Sequence, residues 1–293
     1  MATDARQTRR VMSRATDRPR SLVVPGEKTV FESSIASLHN DAAPPRPVER
    51  AQYEAPRKHR RRRAAILDLD GTLVDSNEAH ALAWLVALHD FGYEVALDLL
   101  RPLVGMTPGR ILHHAVGTTR DGGEGERILQ RRAQIFCTWY LPRLLPFVGT
   151  RALLQRMKRD GLRLVVATTA KPDEAMGLIR AASISDLLDD VVTGTDGEAW
   201  PETDIIASAL SRTGCPPDGV VMLGDTPYDV AAAVRVGIDA VALRCGGWRD
   251  SALRGAVAVF NDACDLLRNY SSSPFFSAAT TMPYAPPQLT LVQ

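Results

Sequence analysis

Ile66-Leu67-Asp68-Leu69-Asp70-Gly71-Thr72-Leu73-Val74-Asp75 carries an apolar segment straight into two acids one residue apart. The run Ala64–Leu69 is short and almost wholly apolar, the pattern of a strand buried on both faces. A carboxylate is costly to bury without a partner, so two acids at such a strand end point to a bound cation. Gly71 permits a turn tight enough to aim both acids at one place. An Asx-type turn uses a single Asp and leaves the second unexplained.

Further short apolar runs read as strands: Leu162–Thr168, Val191–Thr193, Val220–Gly224, Ala240–Leu243 and Ala256–Phe260. Helical spacing lies between them. Arg151–Asp160 offers Leu153, Leu154 and Met157 on one face; Asp204–Arg212 offers Ile205, Ile206, Ala209 and Leu210; Asp229–Val236 is rich in small residues. This alternation predicts an α/β fold, a doubly wound parallel sheet with right-handed crossovers and ligands beyond the carboxyl ends of its strands. The 72 residues from Ser76 to Phe147 are too many for a simple crossover. Leu82, Leu85, Val86 and His89 fall at i, i+3, i+4 and i+7, and Arg127–Leu141 is a second helical stretch. The expected organisation is a core of residues 64–75 and 148–270 with an all-helical cap, 76–147, inserted after the first strand.

A second acid pair follows another strand, in Val221-Met222-Leu223-Gly224-Asp225-Thr226-Pro227-Tyr228-Asp229. Asp229 lies about one helical turn beyond Asp225 and can return to the same side. An acid in that position also caps helices, so the pair alone is weak. Both acid sets stand at strand ends, where a sheet would gather them. Four carboxylates in one crevice repel unless a hard divalent cation bridges them, and oxygen donors without His or Cys point to Mg²⁺. A third strand end, Val165-Val166-Ala167-Thr168-Thr169-Ala170-Lys171, offers a hydroxyl and backbone N–H groups suited to a phosphate oxygen.

From Ala64 to Tyr270 the arrangement resembles the haloacid dehalogenase superfamily of phosphohydrolases, in particular its phosphoglycolate-phosphatase-like group with a helical cap. The resemblance implies that Asp68 is the nucleophile forming an aspartyl-phosphate and Asp70 the general acid/base. It implies that Mg²⁺ binds the Asp68 carboxylate, the Asp70 backbone carbonyl and Asp225, with Asp229 supporting through water. Thr168, Thr169 and the following amides would hold the phosphoryl group. Dehalogenase members lack an acid two residues after the nucleophile, because a halide needs no proton; Asp70 therefore favours phosphoester chemistry. The implied reaction is hydrolysis of a small phosphorylated metabolite, with a phosphomutase as an alternative.

The family pattern carries a lysine between the second and fourth motifs. Here Thr195–Asp204 reads Thr-Asp-Gly-Glu-Ala-Trp-Pro-Glu-Thr-Asp, with Trp200 before the proline, and no lysine follows Lys171. Losing one preorganised donor costs about 3–4 kcal/mol of transition-state stabilisation. Lys171 and a cap arginine such as Arg110 are candidate substitutes. Failing both, the chain would be a catalytically weak protein that binds phosphate ligands. His80, Arg110, His113 and His114 are the polar cap residues that either pack at the surface or hinge or meet a substrate.

At 293 residues, 45% hydrophobic and 24% charged, the composition is that of a globular chain with added segments. No run approaches the roughly 18 apolar residues of a membrane helix. Met1–Arg20 has no apolar stretch and carries Asp4 and Asp17, which predicts no secretory leader. Cys137, Cys215, Cys245 and Cys264 form no CxxC pair, which suits a reducing cytoplasm. Residues 1–63 hold 15 Lys+Arg against 7 Asp+Glu, the remainder 20 against 27. They read as a disordered basic arm, either a solvated tail or a nucleic-acid contact. Residues 271–293 read as an unstructured tail.

Overall fold

Arg63 begins the sheet: its N–H donates to the Gly219 carbonyl and its own carbonyl accepts from the Arg163 N–H. The computed structural model describes residues 61–119, 123–194 and 202–276. Six parallel strands, β1 (Ala64–Leu67), β2 (Arg163–Ala167), β3 (Asp190–Val192), β4 (Val220–Gly224), β5 (Asp239–Leu243) and β6 (Ala258–Phe260), are ordered β3-β2-β1-β4-β5-β6. The chain steps outward from β1 to β3, then returns to the other side of β1 at β4. The central strand is thus the point of topological reversal, where open α/β sheets place ligands. Leu67 is level with Val166 on one side and Leu223 on the other, so β1, β2 and β4 end along one edge.

Alternate strand residues feed two cores, as the two-residue period requires. Ala65, Leu67, Val221 and Leu223 join one cluster; Ala64, Ile66, Val220 and Met222 join the other. The flanking helices are α5 (Thr150–Arg159), α6 (Pro172–Ala181), α7 (Glu202–Thr213), α8 (Pro227–Arg235) and α9 (Ala263–Arg268). Between β1 and α5 lie α1 (Asn77–Asp90), α2 (Leu97–Leu100), α3 (Pro108–Val116) and α4 (Gly123–Ile135), the last running into a π-helical turn, Phe136–Tyr140. Val74 and Pro146 form an antiparallel bridge where the chain leaves and re-enters the α/β layer. A third cluster around Trp84, Leu88, Met106 and Ile128 takes in Tyr228 from α8. Among the described residues no helix is long and apolar enough to cross a membrane.

Four expectations need correction. The first strand stops at Leu67 rather than Leu69, because the Leu69 carbonyl turns to accept from the N–H groups of Leu73 and Val74. In α1 the Leu82, Leu85, Val86 and His89 face is not the buried one. Ala79, Ala83 and Ala87 pack into one core and Ala81, Trp84 and Leu88 into another. A helix squeezed between two layers needs small residues where they approach most closely. Arg62, assigned above to the arm, instead pairs with Asp239 and donates to the Asp218 carbonyl at 3.0 Å. Phe275, assigned to the tail, is 1% exposed and belongs to the same cluster as Tyr270 and Leu266, because a large apolar ring next to the core is better buried. The rest of the arm, residues 1–60, and residues 277–293 lie outside the described residues.

Candidate active site

The aligned ends of β1, β2 and β4 put three loops side by side. After β1, Gly71 adopts φ +76°; a Cβ there would stand 2.2 Å from Asn77 Nδ2 and 2.4 Å from Asp225 Oδ2. Only glycine fits both the left-handed backbone and the space. After β4, Asp225 is fully buried. A Cβ on Gly246 would fall 1.8 Å from its Oδ2, so the chain after β5 also leaves room for this carboxylate. Thr226 and Asp229 open α8 with a capping box: Asp229 Oδ2 accepts from the Thr226 N–H at 2.9 Å and hydroxyl at 2.7 Å, while the Asp229 N–H donates to the Thr226 hydroxyl at 3.2 Å.

This geometry brings oxygens of Asp68, Asp225 and Asp229 within 4.8 Å of one another. Thr72 Oγ lies 2.8 Å from Asp68 Oδ2 and 2.9 Å from Asp225 Oδ1. A hydroxyl has one proton and can donate to only one of them. Asn77 Nδ2 donates to Asp225 Oδ2 at 3.0 Å. Burial, together with Asp229, Asp225 and Asp70, pushes the Asp68 carboxyl well above its usual range against the Thr72 bond. Burial and Asp229 push Asp225 up to about 7 despite Thr72 and Asn77. The cluster is over-supplied with negative charge and built only of oxygens, a donor set that fits a hard divalent cation.

Asp70 points elsewhere. Its Oδ1 accepts from Ser76 Oγ at 2.6 Å and lies 2.7 Å from His80 Nε2. On the far side of the imidazole, Nδ1 meets Arg132 Nη2, and Arg132 Nη1 donates to both oxygens of Glu174 at 3.0 and 2.9 Å. His80 stacks on Phe136, ring centroids 4.0 Å apart and planes 8° from parallel. Burial alone would raise Asp70; His80, Ser76 and Arg132 outweigh it and hold the carboxyl below its usual range.

A cavity of about 500 Å³ lies over these groups. Asp68, Asp70 and Asp229 line it with Thr168, Thr169 and Lys171, and from the helical side come Arg110 and His113. The Thr168 hydroxyl oxygen accepts from the Ala170 N–H at 3.1 Å, so its proton is the part available to a ligand. Arg110 stands over the Tyr228 ring, 6.0 Å from its centroid. His114 is not among the lining residues, because it follows His113 by one position on α3 and so points off that face. Trp200 lies outside the described residues. His80 reaches the cavity but faces Asp70, a role that its helical position did not reveal.

Ser76, Asn77, Thr72, Arg132 and Glu174 were not singled out from the sequence. A signal existed for Arg132, which sits at the centre of the buried face Ile128, Leu129, Ile135 and Phe136. An arginine inside an apolar stripe requires a buried partner. Nothing local marked Glu174 as that partner.

A family model described as haloacid dehalogenase-like hydrolase matches residues 65–243. A phosphoglycolate phosphatase of Rhodospirillum rubrum is 32% identical over 217 residues, spanning 70% of this chain and 89% of that protein. The tyrosine-protein kinase PtkA of Mycobacterium tuberculosis is 33% identical over 186 residues, 62% of this chain and 61% of that protein. A crystal structure of a hydrolase from Pseudomonas syringae superposes with a TM-score of 0.67 at 28% identity, covering 72% of this chain and 99% of that one.

Proposed function

From the premise that this chain belongs to the haloacid dehalogenase-like hydrolase family, we propose that it is a Mg²⁺-dependent phosphomonoesterase acting on a small phosphorylated metabolite. One observation carries the reading. Asp68 and Asp70 share a cavity with Thr168, Thr169 and Lys171, while Asp225 and Asp229 converge on Asp68 from the neighbouring strand end. Asp68 attacks phosphorus and displaces the alcohol, forming an aspartyl-phosphate. The leaving oxygen takes a proton from Asp70, which then removes one from the water that hydrolyses the acyl phosphate. Asp68, the Asp70 carbonyl and Asp225 would hold the metal, with Asp229 behind them; once bound, Mg²⁺ supplies the positive charge that the acids and the phosphoryl group share.

The roles divide by environment. Asp70 is held ionised in the free protein, so its acid role requires the negative charge of the arriving phosphate to raise it. Thr168 and Thr169 would orient the phosphoryl oxygens. Lys171 lines the cavity and is the nearest lysine in sequence to this loop, which favours it as the replacement for the lysine absent at Trp200. The free state of all four cysteines supports a reducing, cytoplasmic setting.

The test is phosphate release from para-nitrophenyl phosphate and a panel of small phosphomonoesters, with and without Mg²⁺, beside Asp68→Asn. Turnover that needs both the metal and Asp68 is the expected result. A folded, metal-binding chain with no turnover above Asp68→Asn would instead favour the phosphate-binding reading, which the absence of lysine after Lys171 keeps in view. On that reading inorganic phosphate raises the melting temperature without being produced.

A further inference from the structure

The line Asp70–His80–Arg132–Glu174 runs through three helices. His80 is on α1, Arg132 on α4 and Glu174 in the first turn of α6, directly after the loop that carries Thr168 and Lys171. His80, Arg132 and Glu174 are all buried. The direction of each bond follows from elementary chemistry. A guanidinium has donors only, so the His80 nitrogen facing it, Nδ1, must be the bare one. The proton of the ring is therefore on Nε2, which donates to Asp70 Oδ1. Ser76 donates to the same oxygen. Oδ1 is thereby occupied twice, and Oδ2 is the oxygen that remains to exchange a proton with a substrate.

We propose that Arg132, backed by Glu174, is a positioning residue: it fixes His80 as the Nε2–H tautomer and so holds Asp70 with Oδ2 presented to the cavity. The Phe136 ring under His80, at the first position of the π-helical turn, keeps the imidazole in plane with this line. Glu174 engages Nη1 with both oxygens while Nη2 meets His80, so the guanidinium is held at two of its nitrogens and cannot turn freely. Because Arg132 stands on the inserted helices and Glu174 on the α/β layer, the same pair ties the placement of the two layers to the orientation of Asp70. The part concerning Asp70 in turnover rests on the phosphatase reading; the tautomer does not.

The experiment uses the full-length chain labelled with ¹⁵N-histidine, which has six imidazoles to resolve. One of them, identified by its loss in His80→Gln, is expected to show a protonated Nε2 and a bare Nδ1. The principal variant is Arg132→Met combined with Glu174→Met, so that no lone charge is left buried; Glu174→Gln is a milder second variant. In both, the His80 signal is expected to lose its single-tautomer signature. In the double variant kcat/KM for an alkyl phosphate, whose leaving group needs a proton, should fall about 10-fold or more relative to kcat/KM for para-nitrophenyl phosphate, which barely needs one. Folded variants that keep the wild-type imidazole signature, or that lose it without moving the alkyl-to-aryl ratio, overturn the proposal. If wild type hydrolyses neither ester, the phosphatase reading fails, and the imidazole spectrum alone decides whether Arg132 fixes His80.

Discussion

Two groups of buried and partly buried charge meet at the cavity, and they are balanced in opposite ways. The crevice of Asp68, Asp225 and Asp229 gathers three carboxylates, and the neutral Thr72, Asn77 and Thr226 are among its hydrogen-bonding partners. The line from Asp70 to Glu174 alternates acid, imidazole, guanidinium and acid, so each charge faces a partner of opposite sign or a matched donor. Burial costs both groups desolvation. The second offsets it with opposite charge along the line, whereas the first crowds like charges, and burial together with that crowding pushes Asp68 and Asp225 up.

The largest effect expected from this contrast is on turnover. Asp68→Asn should lower phosphate release by about 10⁴-fold or more. It should also raise the melting temperature of the metal-free chain, because it removes one of the crowded carboxylates; a lower temperature would show that the crevice is balanced in a way the present geometry does not contain. Next in size, Arg132→Met alone should cost about 3–5 kcal/mol of stability, since Glu174 is left buried without its cation. Adding Glu174→Met should recover most of that in urea unfolding. Equal destabilisation by the single and double variants would contradict the internal balance.

A smaller effect follows from pH. The folded, metal-free chain holds a proton on Asp225 up to about pH 7, which the unfolded chain releases near the ordinary carboxylate value. Between those values the folded state binds the extra proton, so stability falls as pH rises through this window. On the proposed function Mg²⁺ would take the place of that proton, so its effect on the melting temperature should be larger at pH 8 than at pH 6. A metal effect independent of pH would mean that Asp225 is already ionised. The smallest effect serves as a control: replacing both Arg151 and Asp186, an exposed pair at 2.7 Å, should leave the melting temperature and turnover unchanged.

How much of this was legible beforehand differs between the same two groups. The grouping of Asp68, Asp225 and Asp229 is legible in part, because strand ends are local features. The expectation that Asp70 aims at the same place fails, since its carboxyl turns to Ser76 and His80. The Asp70 line is not legible, since its members are 10, 52 and 42 residues apart in turn. The sequence marks His80 only as a polar residue on a helix; the structure places it at the cavity with its ring toward Asp70. The buried side of α1 is hidden from the sequence for a related reason. Its alanines outweigh its leucines only because two layers close on it, which a single-face pattern does not express.

The sequence by itself determined the alternation of strands and helices, the long helical insertion and the acids that end two strands. Those properties depend on residues a few positions apart, and parallel pairing then brings the strand ends to one edge without further instruction. Only the tertiary structure decided which acid faces the crevice and which faces His80. It also decided why Gly246 must be a glycine and where Arg132 finds its carboxylate. Each of those outcomes depends on side chains from distant segments competing for the same few ångströms of buried space, and no local spacing records that competition.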